Sequence, residues 1–386
     1  MNIKLLCIDP LEDYEVIDDH LLLQNGIEVI FASKQKEKGD SSKKYALINS
    51  FDYEDLYSLS EIILPDYIVC FSEDLFVSLA SIRAKLNIKG MNLSKASLLS
   101  HKNLMYEKID GKFPYPKTTK IAEESDFYLL KEILNAQELF IKPINMAGSY
   151  ETYHVKNDLE FKQFLANKKE DLSNYIAQTY IDADLYHSEL VVYEGEVLFC
   201  SARKYSFPNH LMVIKNIPIF SLNIVDQERF KKIRNASVEV IRLLGVNNGI
   251  FHTEFFMSHD GAINFIETNA RAPGIGLNRL YWNKLSISLE TLLCFIVCGK
   301  TPPKFNERDD LFICGYYPLK PGVVKALVKP ELEVESQWIM FVRPNDVSND
   351  VKHMSKSAMF ICWDKSLEKI EQTAHKLANH DVVEIY

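Results

Sequence analysis

The sequence has no CxxC spacing, no apolar run long enough to cross a bilayer, no basic excess and no GxSxG nucleophile signature. Each absence removes a class. The seven cysteines (Cys7, Cys70, Cys200, Cys294, Cys298, Cys314 and Cys362) are scattered through apolar stretches such as Ile68-Val69-Cys70. An odd, unpatterned set of this kind reads as buried free thiols in a reducing compartment. The net charge is −9, whereas a sequence-independent nucleic-acid binder carries basic residues in excess to neutralise phosphates. The longest apolar helix candidate, Leu285 to Cys298, contains Glu290 and is too short to span a membrane. The run Ile3 to Ile8 is far shorter than a signal-peptide core. A cytoplasmic protein with no nucleic-acid and no membrane partner is expected. What is present is 47% hydrophobic and 25% charged residues over 386 positions, enough for more than one core, and the length gives a prior of two or three domains.

The first hundred residues alternate strand and helix. Ile3–Ile8, Ile27–Ala32 and Asp66–Phe71 read as strands, with helices over Leu11–Gln24 and Asp74–Leu86, which predicts a mostly parallel sheet. The first strand–helix turn, Asp9-Pro10-Leu11, lacks the glycines that let a backbone approach a pyrophosphate, so a dinucleotide site there has little support. From about Met91 to Lys300 tight turns suggest antiparallel pairing. Val191–Tyr193 and Glu196–Ser201 flank Glu194-Gly195, and Phe251–Met257 and Ala262–Thr268 flank Asp260-Gly261. A long helix is expected over Gln227–Leu244, with Ile233, Val238, Ile241 and Leu244 as its apolar stripe. Thr301-Pro302-Pro303 marks a boundary, and a last helix is expected near Leu367–Leu377.

The second hairpin carries chemistry. With Asp260-Gly261 as a two-residue loop, His259 faces Ala262, Phe255 faces Ile266, Glu254 faces Glu267 and His252 faces Asn269. Side chains alternate along a strand, so His252, Glu254, Glu267 and Asn269 share one face. Two carboxylates about 5 Å apart repel by roughly 3 kcal/mol at an effective dielectric near 20. Water screens them, or one takes a proton, or a cation lies between them. Glu254, Glu267 and Asn269 offer oxygen ligands only, which suits Mg²⁺. Two residues on, Arg271 points to the same face if the strand continues, and an arginine fork beside a divalent cation holds phosphate or carboxylate groups. The alternative is a solvent-washed hairpin followed by a surface arginine.

His252-Thr253-Glu254-Phe255-Phe256 through Phe265-Ile266-Glu267-Thr268-Asn269-Ala270-Arg271-Ala272-Pro273-Gly274 resembles the ATP-grasp superfamily, and within it carboxylate–amine ligases similar to L-amino-acid ligases. The resemblance implies an α/β and α+β architecture in three parts. These are a Rossmann-like parallel-sheet domain over 1–95, a two-lobed nucleotide-binding domain over 96–300 (lobes 96–175 and 176–300), and an α+β domain over 301–386. It implies ATP and two Mg²⁺ ions, with Mn²⁺ a substitute, held by Glu254, Glu267 and Asn269, with Glu267 bridging. Arg271 then holds the acyl-phosphate and the tetrahedral intermediate. Lys102, in Ser100-His101-Lys102, and Lys142, in Phe140-Ile141-Lys142-Pro143, resemble the family's nucleotide lysines. Asn145–Tyr150 resembles the loop that covers the phosphates, and Gly148 and Ser149 let its backbone N–H groups approach anionic oxygens.

Ile176–Asp182 resembles the hinge strand that reads adenine, with Gln178, Tyr180 and Ile181 at the base. Three features depart from the family pattern, one being that Asp182–His187 lacks the usual glycine. Gln178 stands where glutamate is frequent, and Leu185 where a ribose-binding carboxylate often sits. His187 and Glu189 share a face of the next strand. With Arg203 and Gly274 they are candidate substrate contacts. The reaction implied is two-step. A carboxylate takes the γ-phosphate of ATP, an amine displaces phosphate, and a dipeptide-like amide results between an amino acid or related acid and an amino acid. The absence of a nucleophile signature agrees with that chemistry. The segments near Gly148 and Ser206–His210 are candidate lids, and family members are often homodimers. Alternatives are a bicarbonate-activating or purine-type ligase, a nucleotide-binding module without catalysis, and a one-metal hydrolase that works without ATP.

Overall fold

A computed structural model describes residues 2–35, 43–146, 148–274, 276–348 and 355–386. The strands β1 (Ile3–Ile8), β2 (Ile27–Ser33), β3 (Lys44–Leu47) and β4 (Tyr67–Cys70) form the expected parallel sheet, in the order β3-β2-β1-β4. The central strand β1 is apolar and buried from Leu5 to Ile8 because both of its faces are covered there, Lys4 lying near its start. Leu6 and Ile8 enter a core with the helices Tyr53–Ile63 and Phe76–Leu86, while Leu5 and Cys7 enter another with the helix Leu289–Val297. A continuous helix over Leu11–Gln24 does not form. A 3-10 turn covers Tyr14–Val16, and the α-helix runs only from Asp19 to Gln24. Asp9 accepts from Leu11 N at 3.0 Å and Asp13 N at 2.9 Å, and Asp18 caps Leu21 N at 2.8 Å. Short acidic side chains compete here with helical bonding.

Beyond the parallel sheet the pairing is antiparallel. The strands β5 (Thr118–Lys120), β6 (Leu139–Pro143), β7 (Tyr153–Val155) and β8 (Tyr175–Thr179) form a small sheet ordered β5-β8-β6-β7. After them come β9 (Asp184–Tyr193), β10 (Glu196–Cys200), β11 (Arg203–Tyr205), β12 (Ile219–Asn223), β13 (Gly249–Met257), β14 (Ile263–Asn269) and β15 (Leu311–Pro318). The last are β16 (Gly322–Leu327), β17 (Glu335–Met340), β18 (Val347–Ser348), β19 (Lys356–Asp364) and β20 (Val383–Ile385). One large sheet is ordered β14-β13-β9-β11-β12-β15-β19-β17, with β10 on β9, so it runs across residue 300; β18-β16-β20 form a separate sheet. The helix Gln227–Leu244 has the expected bounds, but its stripe differs by one position. Val240 is fully buried and Val238 only half-buried. The last helix is Leu367–Ala378. All seven cysteines are buried and unpaired, and no single helix among the described residues is long and apolar enough to cross a membrane.

The hairpin β13–β14 reaches the expected pairing of its acidic residues by another route. Ser258 N donates to Ala262 O at 3.0 Å and Gly261, at φ +85°, donates from N to Ser258 O at 2.9 Å. The loop is thus the three residues His259–Gly261, not two, and a left-handed glycine is what such a loop demands. Every pair near the loop moves by one, so Phe255 faces Phe265 rather than Ile266. A β-bulge then leaves Ile266 unpaired and restores Glu254 to Glu267 and His252 to Asn269. The core explains the bulge. Phe255 and Phe265 are both fully buried in one cluster, while Ile266 packs with Leu185 and Tyr205 on the other side.

Candidate active site

The acidic face of the hairpin is met by two lysines from neighbouring elements. Lys102 opens the helix Lys102–Ile109 and places Nζ 2.8 Å from Glu267 Oε2 and 2.5 Å from Met146 O. Lys142 comes from β6 and donates to the Tyr106 hydroxyl at 3.0 Å, and Tyr106 donates to Ile266 O at 2.6 Å. All three side chains are buried. Burial and the charge of Lys102 push Lys142 down to about 7. Burial works to raise the Glu267 carboxyl, yet Lys102 and Lys142 hold it below the ordinary carboxylate range. Among the described residues the buried Lys142 amine hydrogen-bonds only the neutral Tyr106 hydroxyl, beside a set of oxygen donors. That arrangement fits a polyphosphate on the lysine side and Mg²⁺ on the side of Glu254, Glu267 and Asn269.

Arg271 lies where the strand periodicity puts it and is gripped from the N-terminal sheet. Its Nη2 is 2.7 Å from Glu73 Oε1, its Nε bonds Glu73 Oε2, and its Nη1 donates to Ala272 O at 2.9 Å. Both side chains are largely buried. Burial alone would raise the Glu73 carboxyl and lower the guanidinium, but their pairing shifts Glu73 down and Arg271 up. Sequence reasoning missed Glu73. Its signal was an acidic pair, Glu73-Asp74, just past the carboxyl end of a parallel strand, where open α/β sheets bind ligands.

Beneath the metal-type face lies a fully buried polar cluster. Glu189 Oε1 accepts from His187 Nδ1 at 2.7 Å and His252 Nδ1 at 2.9 Å, and Glu189 Oε2 accepts from Ser201 Oγ at 2.6 Å and from the Tyr281 hydroxyl. His252 Nε2 lies 3.4 Å from Glu254 Oε1. Burial would keep His252 neutral, but hydrogen bonds to Glu189 and Glu254 push it up to about 9. Burial wins at His187, whose pKa is lowered. Arg203 is spent on Ser221, Asn223 Oδ1 at 3.0 Å and Phe312 O at 2.5 Å. His187, Glu189 and Arg203, expected as substrate contacts, therefore support the floor of the site and line no open surface. Gly274 is exposed, with nothing within 4 Å of the position its Cβ would take.

The remaining expected contacts lie around the rim. Gln178 is 2% exposed, its amide donates to Thr118 Oγ1 at 2.7 Å, and its backbone sits between ladder partners on both sides. It presents no free edge. Tyr180 and Ile181 follow β8, and the Tyr180 ring stacks on His154 at 3.7 Å. In the phosphate-type loop Gly148 and Ser149 turn at φ 68° and 57°; Ala147 lies outside the described residues. The segment Ser206–His210 leads into the helix Asn209–Lys215, from which Asn209 Nδ2 reaches Glu254 Oε1 at 3.1 Å and the His210 ring packs on Phe140 at 5.2 Å. Asn209 was expected only as part of the candidate lid Ser206–His210, not as a partner of Glu254.

The profile of the ATP-grasp domain matches residues 136–278. The chain is 24% identical over 333 residues to an L-arginine-specific L-amino acid ligase of Bacillus subtilis, across 81% of this chain and 78% of that one. In structure it resembles an L-amino acid ligase from Bacillus licheniformis, with a TM-score of 0.75 at 16% identity over 100% of this chain and 99% of the other. It also resembles an ATP complex of carboxyaminoimidazole ribonucleotide synthase from Aspergillus clavatus, with a TM-score of 0.74 at 12% identity over 97% of each.

Proposed function

Since the chain carries an ATP-grasp domain and folds as ATP-grasp ligases do, we propose that it joins an amino acid or related acid to the amine of an amino acid, releasing ADP and phosphate. The observation that carries the reading is Glu254 facing Glu267 across β13–β14, with Lys102 2.8 Å from Glu267 and Arg271 at the end of the strand. We assign residues 1–95 and 301–386 to enclosing the acid and amine, and residues 96–300 to holding the nucleotide. The L-amino acid ligases among its relatives support the choice of substrates.

The chemistry needs charge neutralisation above all, because one anion must attack another. Lys102 and Lys142 take the phosphates of ATP, and Lys102 leaves Glu267 when it does so. Mg²⁺ held by Glu254, Glu267 and Asn269 would supply further positive charge to the triphosphate. Asn209 and protonated His252 fix the Glu254 carboxylate. Arg271 receives the substrate carboxylate as it becomes the acyl-phosphate, and then the oxyanion as the amine adds. Glu73 holds the guanidinium in place throughout, so its orientation precedes substrate binding. The loop at Gly148 and Ser149 and the segment Ser206–His210 shield the acyl-phosphate from water.

Paired amino-acid mixtures assayed for ADP release test the proposal. Release above background, lowered by orders of magnitude in Glu267→Gln and Arg271→Ala with the fold intact, is the expected result. No mixture releasing ADP, or a wild-type rate in either variant, would refute it. The second reading is a bicarbonate-activating ligase, favoured by the carboxyaminoimidazole ribonucleotide synthase likeness. ADP release that requires bicarbonate and no organic acid would establish that one instead.

A further inference from the structure

A cavity of about 430 Å³ opens between the edge strand β4, the helix Phe76–Leu86 and the helix Leu289–Val297. It is not the nucleotide site. Its lining includes none of the residues assigned to the nucleotide or to Mg²⁺. Phe76, Leu99, Leu293 and Ile296 make much of the wall apolar. One charged group is buried in it. Arg83 is 8% exposed, donates from Nη2 to Ile68 O at 2.9 Å and reaches Met91 O from Nη1 only at 3.5 Å, while its Nε has no partner.

Arg83 stays cationic near neutrality, because burial pushes it down only to about 10, and no carboxylate among the described residues pairs with it. A buried guanidinium has five N–H donors and is costly to leave without a counter-charge. The backbone nevertheless makes room for it. At Gly90, with φ +138°, an added Cβ would lie 2.9 Å from Arg83 Nε. Lys95 and Glu194 at the cavity wall offset each other, so the cavity carries one net positive charge.

We propose that this cavity is a second ligand site, one that takes a small organic monocarboxylate with an apolar body. The planar guanidinium fork matches a carboxylate, and the single charge matches a monoanion. The apolar walls cover the remainder of the ligand, in a volume usual for small-molecule sites. The cavity wall also lies close in sequence to residues that carry the catalytic charges. Phe76 follows Glu73 by three residues, Leu99 precedes Lys102 by three, and Ala270 of the wall precedes Arg271.

Calorimetry of the full chain, saturated with ADP and Mg²⁺, tests this with phenylacetate and hexanoate as probes and benzyl alcohol and inorganic phosphate as controls. The expected result is saturable binding of a carboxylate that is retained in Arg271→Ala and weakened about tenfold or more in Arg83→Met. Val297→Trp, which adds bulk to the cavity wall from the helix Leu289–Val297 and leaves Arg83 itself unchanged, should block it and decides the matter if Arg83→Met does not fold. No saturable binding overturns the proposal. So does binding that Arg271→Ala abolishes and Val297→Trp leaves intact, or binding in which benzyl alcohol or phosphate equals the carboxylates.

Discussion

Lys142 provides the sharpest test of the nucleotide site. Its ammonium rests on the Tyr106 hydroxyl, and burial with the charge of Lys102 brings it down to about 7. Compared with an ordinary lysine near 10.4, that is about 5 kcal/mol in favour of the neutral amine. A polyphosphate laid against Lys142 reverses the preference, so nucleotide binding must bring a proton with it. At pH 8 about one free molecule in ten holds that proton, and nearly all complexes do, so uptake approaches about 0.9 proton; at pH 6 it falls to about 0.1. For the same reason the affinity should be about tenfold weaker at pH 8 than at pH 6. Calorimetry of ADP and Mg²⁺ in buffers of low and high ionisation enthalpy measures the uptake directly. Lys142→Met should abolish it. Uptake that is flat between the two pH values, or unchanged in the variant, would refute the reasoning.

Three further outcomes follow from buried charges. Burial raises the Glu290 carboxyl to about 8, so stability is complete below the ordinary glutamate pKa, declines as pH rises toward 8 and is level above; the total is about 5 kcal/mol at most, and Glu290→Gln should remove it in denaturation curves at pH 5 and 8.5. Glu73→Ala leaves Arg271 buried without its anion and should lower stability by about 3–5 kcal/mol, so an unchanged melting temperature would contradict the pairing drawn for them. In Glu189→Gln the support for protonated His252 is gone, and its NMR titration should move well below about 9; a midpoint that stays there would show that Glu189 is not the cause.

Much of the site was legible because its residues lie on one hairpin. Period-two alternation places His252, Glu254, Glu267 and Asn269 on one face whatever surrounds them, and Arg271 follows by the same count. The pairing of the two glutamates was right although the loop and the apolar pairs near it were not. A longer turn and a bulge at Ile266 cancel, and the buried phenylalanines force both. Groups that meet the hairpin from other elements were legible only as types. Lys102 and Lys142 sit in recognisable contexts, whereas Glu73 and Asn209 had to be brought in by folding.

Local signals in the chain placed most of the strands, the long helix Gln227–Leu244 and the acidic face of the ribbon, but not the broken helix before Gln24 or the length of the hairpin loop. Periodicity and turn chemistry act over a few residues, so one chain reveals them. Only tertiary structure decided which charges neutralise one another. His187, Glu189 and Arg203 look like ligand contacts along their strands, yet they are spent on internal partners, while Arg83 is buried with backbone carbonyls for partners and no counter-charge among the described residues. Hydrogen-bond satisfaction is settled between elements distant in sequence, and burial then fixes how much each unpaired charge costs.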